Sequence, residues 1–103
     1  CPTSYFRAGD VAFQLNRAGW RHIFARHHPR YWDGSVKANQ TFFGPSVGPA
    51  EIRQLVGAVV RQNAAAMRAA GAKPVTVTGS VAGRQYRLHA RGGKVRSFYP
   101  VAQ

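Results

Sequence analysis

Acidic residues are nearly absent from the sequence. Its 103 residues contain three Asp or Glu against fifteen Lys or Arg, and the formal net charge is +12 at pH 7. The three acids, Asp10, Asp33 and Glu51, lie far apart in the chain. Glycosidases require a pair of carboxylates, and two-metal phosphodiesterases need several carboxylates around their ions. The scarcity of acids therefore argues against both kinds of site.

Cysteine and long apolar runs are scarce as well. The single cysteine, Cys1, cannot form a disulfide within the chain, and a structural zinc site with two or more cysteine ligands is excluded. No segment is apolar over the roughly 20 residues that a membrane-spanning helix needs. The sequence begins with Cys and carries no signal-peptide pattern. We therefore expect a single domain over residues 1–103 that belongs to a longer protein.

Positive charge is what the sequence has in excess. All but three of the fifteen cationic residues are arginine, whose planar group of donors suits phosphate. A surface of this kind attracts polyanions. With few carboxylates available, a nuclease must use other side chains, and RNA supplies its own nucleophile in the 2′-hydroxyl. The composition therefore favours RNA over DNA as the ligand, and the alternative is a highly charged surface that serves solubility.

The periodicity of apolar residues predicts an α+β domain, with N-terminal helices followed by a C-terminal antiparallel sheet of three to four strands. Asp10 is predicted to cap a first helix that ends near Gly19. A second short helix is expected over residues 20–27. A long helix is predicted over residues 50–70, with Pro49 at its first position.

The last part of the chain changes to a period of two. Apolar and polar residues alternate over residues 75–99, and the turns are predicted at Ala82-Gly83 and Gly92-Gly93. This pattern predicts a three-stranded antiparallel meander. A fourth, edge strand is expected around Thr41.

Three of the four histidines, His22, His27 and His28, lie within seven residues. Histidine donates and accepts protons near neutral pH, so we interpret this cluster as candidate catalytic residues. One alternative is a surface helix that carries histidines without a role. Another is a metal site made of histidine alone, which the net charge of +12 disfavours. The fourth histidine, His89, is out of phase with the apolar residues of its predicted strand, and we interpret it as a surface or binding residue rather than the base.

Ser97 and Tyr99 are two residues apart on the last predicted strand and therefore share a face. A hydroxyl and a phenol on one face can hold a phosphate and stack a base, and the alternative is an ordinary half-buried strand. A weaker candidate set, which can reach phosphate oxygens from a loop, consists of Lys37, Asn39 and Thr41. A further candidate set for binding single-stranded RNA is basic and lies in the sheet and turn region, and the alternative for it is a solvated charged face: Arg84, Arg87, Arg91, Lys94 and Arg96.

Two segments frame the predicted long helix: residues 37–52, KANQTFFGPSVGPAEI, and residues 83–101, GRQYRLHARGGKVRSFYPV. In this order they resemble the C-terminal half of bacterial EndoU-type nuclease domains, and more loosely the barnase, EndoU, colicin and RelE-like assemblage. In the EndoU-type family a Thr-Phe-Phe stretch precedes a helix. Its final strand carries Ser or Thr two residues before a Tyr that is followed by Pro.

The resemblance implies roles for individual residues. Ser97 matches the family's Ser or Thr, Tyr99 its Tyr, and His22, in the dipeptide His-Ile, its first histidine. The family's second histidine lies further along the chain, after a glycine-rich stretch, whereas His27 and His28 follow His22 within six residues.

The same resemblance implies a ribonuclease toxin that needs no metal or other cofactor and leaves 2′,3′-cyclic phosphate ends. Such domains serve contact-dependent growth inhibition and related polymorphic toxin systems. They are delivered from the cell surface as part of a larger secreted protein and act in the cytoplasm of the target cell. The implied partner is a cognate immunity protein, which the charge of this chain predicts to be acidic.

The resulting hypothesis is cleavage of RNA, with tRNA as one candidate substrate. One histidine of the cluster takes the proton of the 2′-hydroxyl, and a second protonates the leaving 5′-oxygen. Lys37, Ser97 and nearby arginines stabilise the transition state. Two alternatives stay open: a non-catalytic basic module that binds RNA or DNA, and a ribosome-dependent ribonuclease.

Overall fold

A computed structural model of the chain describes residues 3–27 and 47–101, of which residues 24–27 are described by their backbone. The strands of this part form one five-stranded sheet in the order β1-β2-β5-β4-β3. Neighbouring strands are antiparallel except for β2 and β5, which are parallel. The elements in chain order are β1 (Ser4–Ala8), β2 (Val11–Leu15), α1 (Arg17–His27), α2 (Pro49–Gln62), α3 (Ala64–Ala70), β3 (Val75–Val81), β4 (Arg84–Arg91) and β5 (Lys94–Pro100).

The N-terminal part corrects the predicted order of elements. The domain is α+β, but N-terminal helices followed by a C-terminal sheet is wrong, because the chain starts with a β-hairpin and the helices come in the middle. Asp10, the predicted helix cap, lies in the turn of that hairpin. Phe6 pairs with Phe13, and both are buried, as is Leu15. The same segment also fits the spacing of a helix. It forms strands because a strand buries side chains that are two residues apart on one face.

The hairpin joins the C-terminal strands through β2. Gln14 is in register with Lys94 of β5, and its backbone N–H donates to the carbonyl of Gly93 at 2.9 Å. The strand beside β5 is therefore β2 from the start of the chain. The edge strand predicted around Thr41 lies outside the described residues.

The helices begin where local signals place them. The predicted helix over residues 20–27 is confirmed as α1, although it starts earlier, and Asn16 caps it by accepting a hydrogen bond from the Gly19 N–H at 3.1 Å. The predicted long helix starts at Pro49, as expected. Its first turn is closed by Glu51, whose carboxylate accepts from the Gly48 N–H at 2.9 Å.

That long helix is interrupted at Asn63, so residues 50–70 form α2 and α3 instead of one element. The Asn63 amide donates to the carbonyls of Val59 and Thr78, both at 3.0 Å. The neighbouring Gln62 amide donates to the Ser80 carbonyl at 2.7 Å and accepts from its N–H at 2.9 Å. The two amides thereby pair backbone groups of β3, the outer strand of the sheet, and fix the helices against it.

The predicted meander is confirmed as β3, β4 and β5. Its turns fall at the predicted places, and all four turn residues have positive φ, from 53° at Ala82 to 80° at Gly83. Val77, Leu88 and Phe98 on one side of the meander are buried and belong to the core. The other side carries mostly polar side chains.

Candidate functional site

The polar side of the meander forms two rows across the strands. In one row His89 is paired with Thr76 of β3 on one side and with Ser97 of β5 on the other. In the adjacent row Arg87 is paired in the same way with a threonine and a tyrosine. We name this surface the polar face, and it consists of Thr76, Thr78, Arg87, His89, Ser97 and Tyr99.

His89 is held at the centre of the polar face through both ring nitrogens. Its Nδ1 lies 2.8 Å from the hydroxyl of Thr76, and its Nε2 lies 2.9 Å from the hydroxyl of Tyr99. The His89 and Tyr99 rings are tilted against each other, with centroids 5.6 Å apart. A neutral imidazole has one donor and one acceptor nitrogen, and two hydroxyl groups can satisfy both. The ring orientation is therefore fixed from two sides.

The pKa of His89 lies below the ordinary value of 6.5, first because burial disfavours the charged ring and second because the Arg87 guanidinium repels it. At neutral pH the ring is consequently uncharged and has a lone pair to accept a proton. A histidine in this state is suited to the role of general base.

A bulge in β5 adds an arginine to this surface. The register places Ser97 opposite His89 but Val95 opposite Ala90, so Arg96 is the extra residue between them. A bulge of this type re-aims side chains relative to strict alternation. Val95 is buried, whereas Arg96 is exposed and lines the same cavities as His89.

Helix α1 closes one side of the site because it packs tightly on β5. A Cβ atom at Gly19 would lie 2.6 Å from the carbonyl oxygen of Val95, so only glycine allows this approach. The half-buried His22 follows one turn later on the same helix. Between α1 and β5 lies a cavity of about 430 Å³, named here the α1 pocket, lined by Ala18, Gly19, His22, His89, Arg96 and Ser97.

A second cavity lies on the other side of His89, where β3 begins. Its volume is about 310 Å³. Both arginines that line it, Arg91 and Arg96, are exposed, and neither of the two described carboxylates lines it. Asp10 pairs instead with Arg68 at 3.0 Å, and Glu51 caps α2. We name this cavity the β3 pocket, and it is lined by Pro74, Val75, Thr76, His89, Ala90, Arg91 and Arg96.

The structure brings four of the predicted site residues together. His22, Ser97 and Arg96 line the α1 pocket, and the hydroxyl of Tyr99 is hydrogen-bonded to Nε2 of His89. Arg84 lies at the other end of β4, five residues or roughly 16 Å along the strand from His89. The side chain of His27, at the end of α1, lies outside the described part of the chain, as do the whole of His28, Lys37 and Thr41.

Two residues of the site, His89 and Thr76, were not among the predicted catalytic residues. The signal that points to them is the turn at Ala82-Gly83. A two-residue turn there pairs Val81 with Arg84 and, counting outward, Thr76 with His89. Strand pairing, rather than clustering in sequence, identifies the central histidine.

The low pKa of His89 predicts that the domain loses stability in mild acid. The unfolded chain binds a proton at the ordinary value of 6.5, and the folded chain binds it only at lower pH. Between the two values the unfolded state holds more protons, so the free energy of unfolding falls as the pH drops through 6.5 and levels off below the folded pKa. Urea denaturation from about pH 7.5 to about pH 5 measures this fall.

The matched variant for this test is His89→Gln, in which the fall is expected to be smaller by the His89 contribution. An NMR titration of the His89 ring gives the pKa directly, and Arg87→Gln is expected to raise it by removing the repelling charge. A midpoint at or above 6.5 in the unmodified chain contradicts the low pKa and, with it, the expected loss of stability in mild acid.

Within residues 3–27 and 47–101, no helix is both long and apolar enough to cross a membrane. Among the side chains described, no group of three or more His, Cys, Asp or Glu is arranged to hold a metal ion. Comparisons of the chain with protein-family models, with curated proteins and with solved structures found no match in any of the three.

Proposed function

We propose that the chain is a metal-independent endoribonuclease domain, which cleaves RNA by attack of a 2′-hydroxyl on the adjacent phosphate. The observation that carries the proposal is that His22 and His89 line one pocket together with Arg96 and Ser97. Two imidazoles and a guanidinium around one cavity supply a base, an acid and a positive charge for a phosphate, which is all that RNA transesterification requires.

In the proposed reaction, the neutral His89 accepts the proton of the 2′-hydroxyl as its oxygen bonds to phosphorus. The bond from phosphorus to the 5′-oxygen of the next nucleotide breaks, and His22 donates the proton that this oxygen takes up. The products are a 2′,3′-cyclic phosphate and a free 5′-hydroxyl. Arg96 stabilises the extra negative charge on the phosphate oxygens in the transition state, and proton exchange with water restores both histidines.

The hydrogen bonds of His89 suit the role of base. When Nε2–H donates to the hydroxyl of Tyr99, the lone pair of Nδ1 accepts from the hydroxyl of Thr76. In the complex with RNA, the 2′-hydroxyl takes the place of the Thr76 hydroxyl at Nδ1. Tyr99 then acts as a positioning residue that keeps the ring oriented, and Ser97 faces the phosphate from the opposite strand.

We further propose a biological setting in which the domain is a toxin used in competition between bacteria. The support is the resemblance of residues 37–101 to EndoU-type toxin domains, together with the net charge of +12. In this setting it is delivered as part of a larger protein, cleaves RNA such as tRNA in the target-cell cytoplasm, and is neutralised by an acidic immunity protein.

The test is incubation of the purified chain with total bacterial RNA in the presence of EDTA, followed by a denaturing gel and analysis of the ends. We expect discrete fragments with cyclic phosphate ends. Arg96→Ala is expected to lower the cleavage rate about 10- to 100-fold, because it removes a charged donor to phosphate. Arg84→Ala removes one positive charge at the other end of β4, and its cleavage rate is expected to stay within about fivefold of that of the unmodified chain.

Two results contradict the proposal. RNA that stays intact but is shifted on a native gel indicates the non-catalytic binding module. Intact free RNA with cleavage only in the presence of ribosomes indicates a ribosome-dependent enzyme. Equal effects of Arg96→Ala and Arg84→Ala contradict the placement of the phosphate at Arg96.

A further inference from the structure

The α1 pocket and the β3 pocket share a wall. His89 and Arg96 line both of them, whereas His22 and Ser97 line only the α1 pocket, and Thr76 and Arg91 only the β3 pocket. The volumes, about 430 and 310 Å³, are in the range of pockets that hold small ligands. An RNA strand with one phosphate at this shared wall can therefore place one of the two adjoining nucleotides in each pocket.

We propose that the two pockets hold the two nucleotides on either side of the scissile phosphate, with a fixed polarity. The β3 pocket takes the nucleotide on the 5′ side, which supplies the 2′-hydroxyl. The α1 pocket takes the nucleotide on the 3′ side, which leaves through its 5′-oxygen. This inference rests on the proposed function, and it adds the direction in which the RNA strand crosses the sheet.

The polarity follows from where the two imidazoles face. Nδ1 of His89 lies against Thr76, which lines the β3 pocket and not the α1 pocket. His22 lines the α1 pocket and not the β3 pocket. In phosphoryl transfer the attacking and leaving oxygens are roughly in line on opposite sides of phosphorus. With phosphorus at the shared wall, the attacking oxygen lies on the β3 side and the leaving oxygen on the side of α1.

Two mononucleotides distinguish the two pockets, because one carries its phosphate on the 3′-oxygen of the ribose and the other on the 5′-oxygen. Adenosine 3′-monophosphate corresponds to the nucleotide on the 5′ side, so it belongs in the β3 pocket with its phosphate at Arg96. Adenosine 5′-monophosphate corresponds to the nucleotide on the 3′ side, so it belongs in the α1 pocket. Neither has a phosphodiester bond to cleave, so binding is measured independently of catalysis.

The experiment is an NMR titration of the full chain with each mononucleotide at low salt and with EDTA. Arg91→Ala removes a charged group from the β3 pocket, and Ala18→Leu fills the α1 pocket from an exposed helical position where leucine is well tolerated. We expect Arg91→Ala to weaken the affinity for the 3′-monophosphate about tenfold and to change the affinity for the 5′-monophosphate by less than about twofold. Ala18→Leu is expected to have the opposite selectivity.

Arg61→Ala, at an exposed position in the last turn of α2 that lines neither pocket, is the control for general loss of positive charge, and it is expected to change both affinities by less than about twofold. The reverse selectivity of Arg91→Ala and Ala18→Leu overturns the polarity. Equal weakening of both mononucleotides by each variant overturns the assignment of two separate positions. If the expected selectivity is found in a chain that does not cleave RNA, the proposed function fails while the two positions stand.

Discussion

Replacement of His89 by alanine is expected to lower the rate of RNA cleavage by about 100- to 10,000-fold, which is the range that one general acid or base contributes. The variant loses the proton acceptor and also the ring that bridges Thr76 and Tyr99. The measurement is single-turnover cleavage of a short labelled RNA in EDTA. Because the side chain lies on the polar face and not in the core, RNA binding and folding are expected to persist.

The matched control for His89→Ala is Thr76→Val, on the directly paired position of β3. Valine keeps the shape of threonine, has high strand propensity and replaces the hydroxyl by a methyl group. In the proposed reaction this hydroxyl gives way to the substrate, so the change in rate is expected to be less than about tenfold. A rate for His89→Ala within tenfold of the unmodified chain contradicts its assignment as the base.

His22→Ala provides a second check on the pair. If His22 and His89 act in one concerted step, the double variant is expected to be little slower than the slower single variant, because residues that act as a unit are not additive. Independent, multiplicative losses contradict the concerted acid–base mechanism.

The largest expected effect on stability comes from Phe98→Ala, which should lower the free energy of unfolding by about 3–5 kcal/mol. Phe98 is fully buried on the inner side of β5 and stacks on Tyr86, with ring centroids 5.5 Å apart and planes at 8°. Alanine leaves a cavity and removes the stacking contact. Small domains have about 5–15 kcal/mol of stability in total, so the loss is a large share of it.

Urea denaturation at neutral pH measures the effect, and Tyr5→Ala is the control. Tyr5 is also an aromatic residue on a strand, but 68% of it is exposed, so its removal is expected to change stability by less than about 0.5 kcal/mol. A loss below about 1 kcal/mol for Phe98→Ala contradicts the placement of this ring in the core.

The helices and the meander were accessible from the sequence because their signals are local. Pro49 and Glu51 mark the start of α2, and Ala82-Gly83 marks the turn that aligns Thr76 with His89. Positive φ at such turns and caps at helix ends depend on a few adjacent residues. The charge of +12, which attracts polyanions, is likewise a property of composition alone.

The N-terminal hairpin was not accessible in the same way. Its short apolar segments fit a helical period and a period of two equally well, and periodicity does not separate the two over so few residues. The hairpin is a local pairing of β1 with β2, but its place in the sheet depends on Gln14 meeting β5, eighty residues later in the chain. A pairing between segments that are distant in sequence produces no local sequence pattern in either segment.

The candidate site also combines features that local sequence determines with features that depend on tertiary packing. By itself the sequence determined that β4 carries a histidine opposite Thr76 and that β5 carries a hydroxyl and a phenol two residues apart. Strict pairing from the Gly92-Gly93 turn places Arg96, not Ser97, opposite His89. Only the tertiary structure decided otherwise, because packing Phe98 into the core requires a bulge at Arg96. Helix α1 packs closely on β5 and thereby brings His22 to the same cavity. This contact also depends on tertiary packing and not on the residues adjacent in sequence.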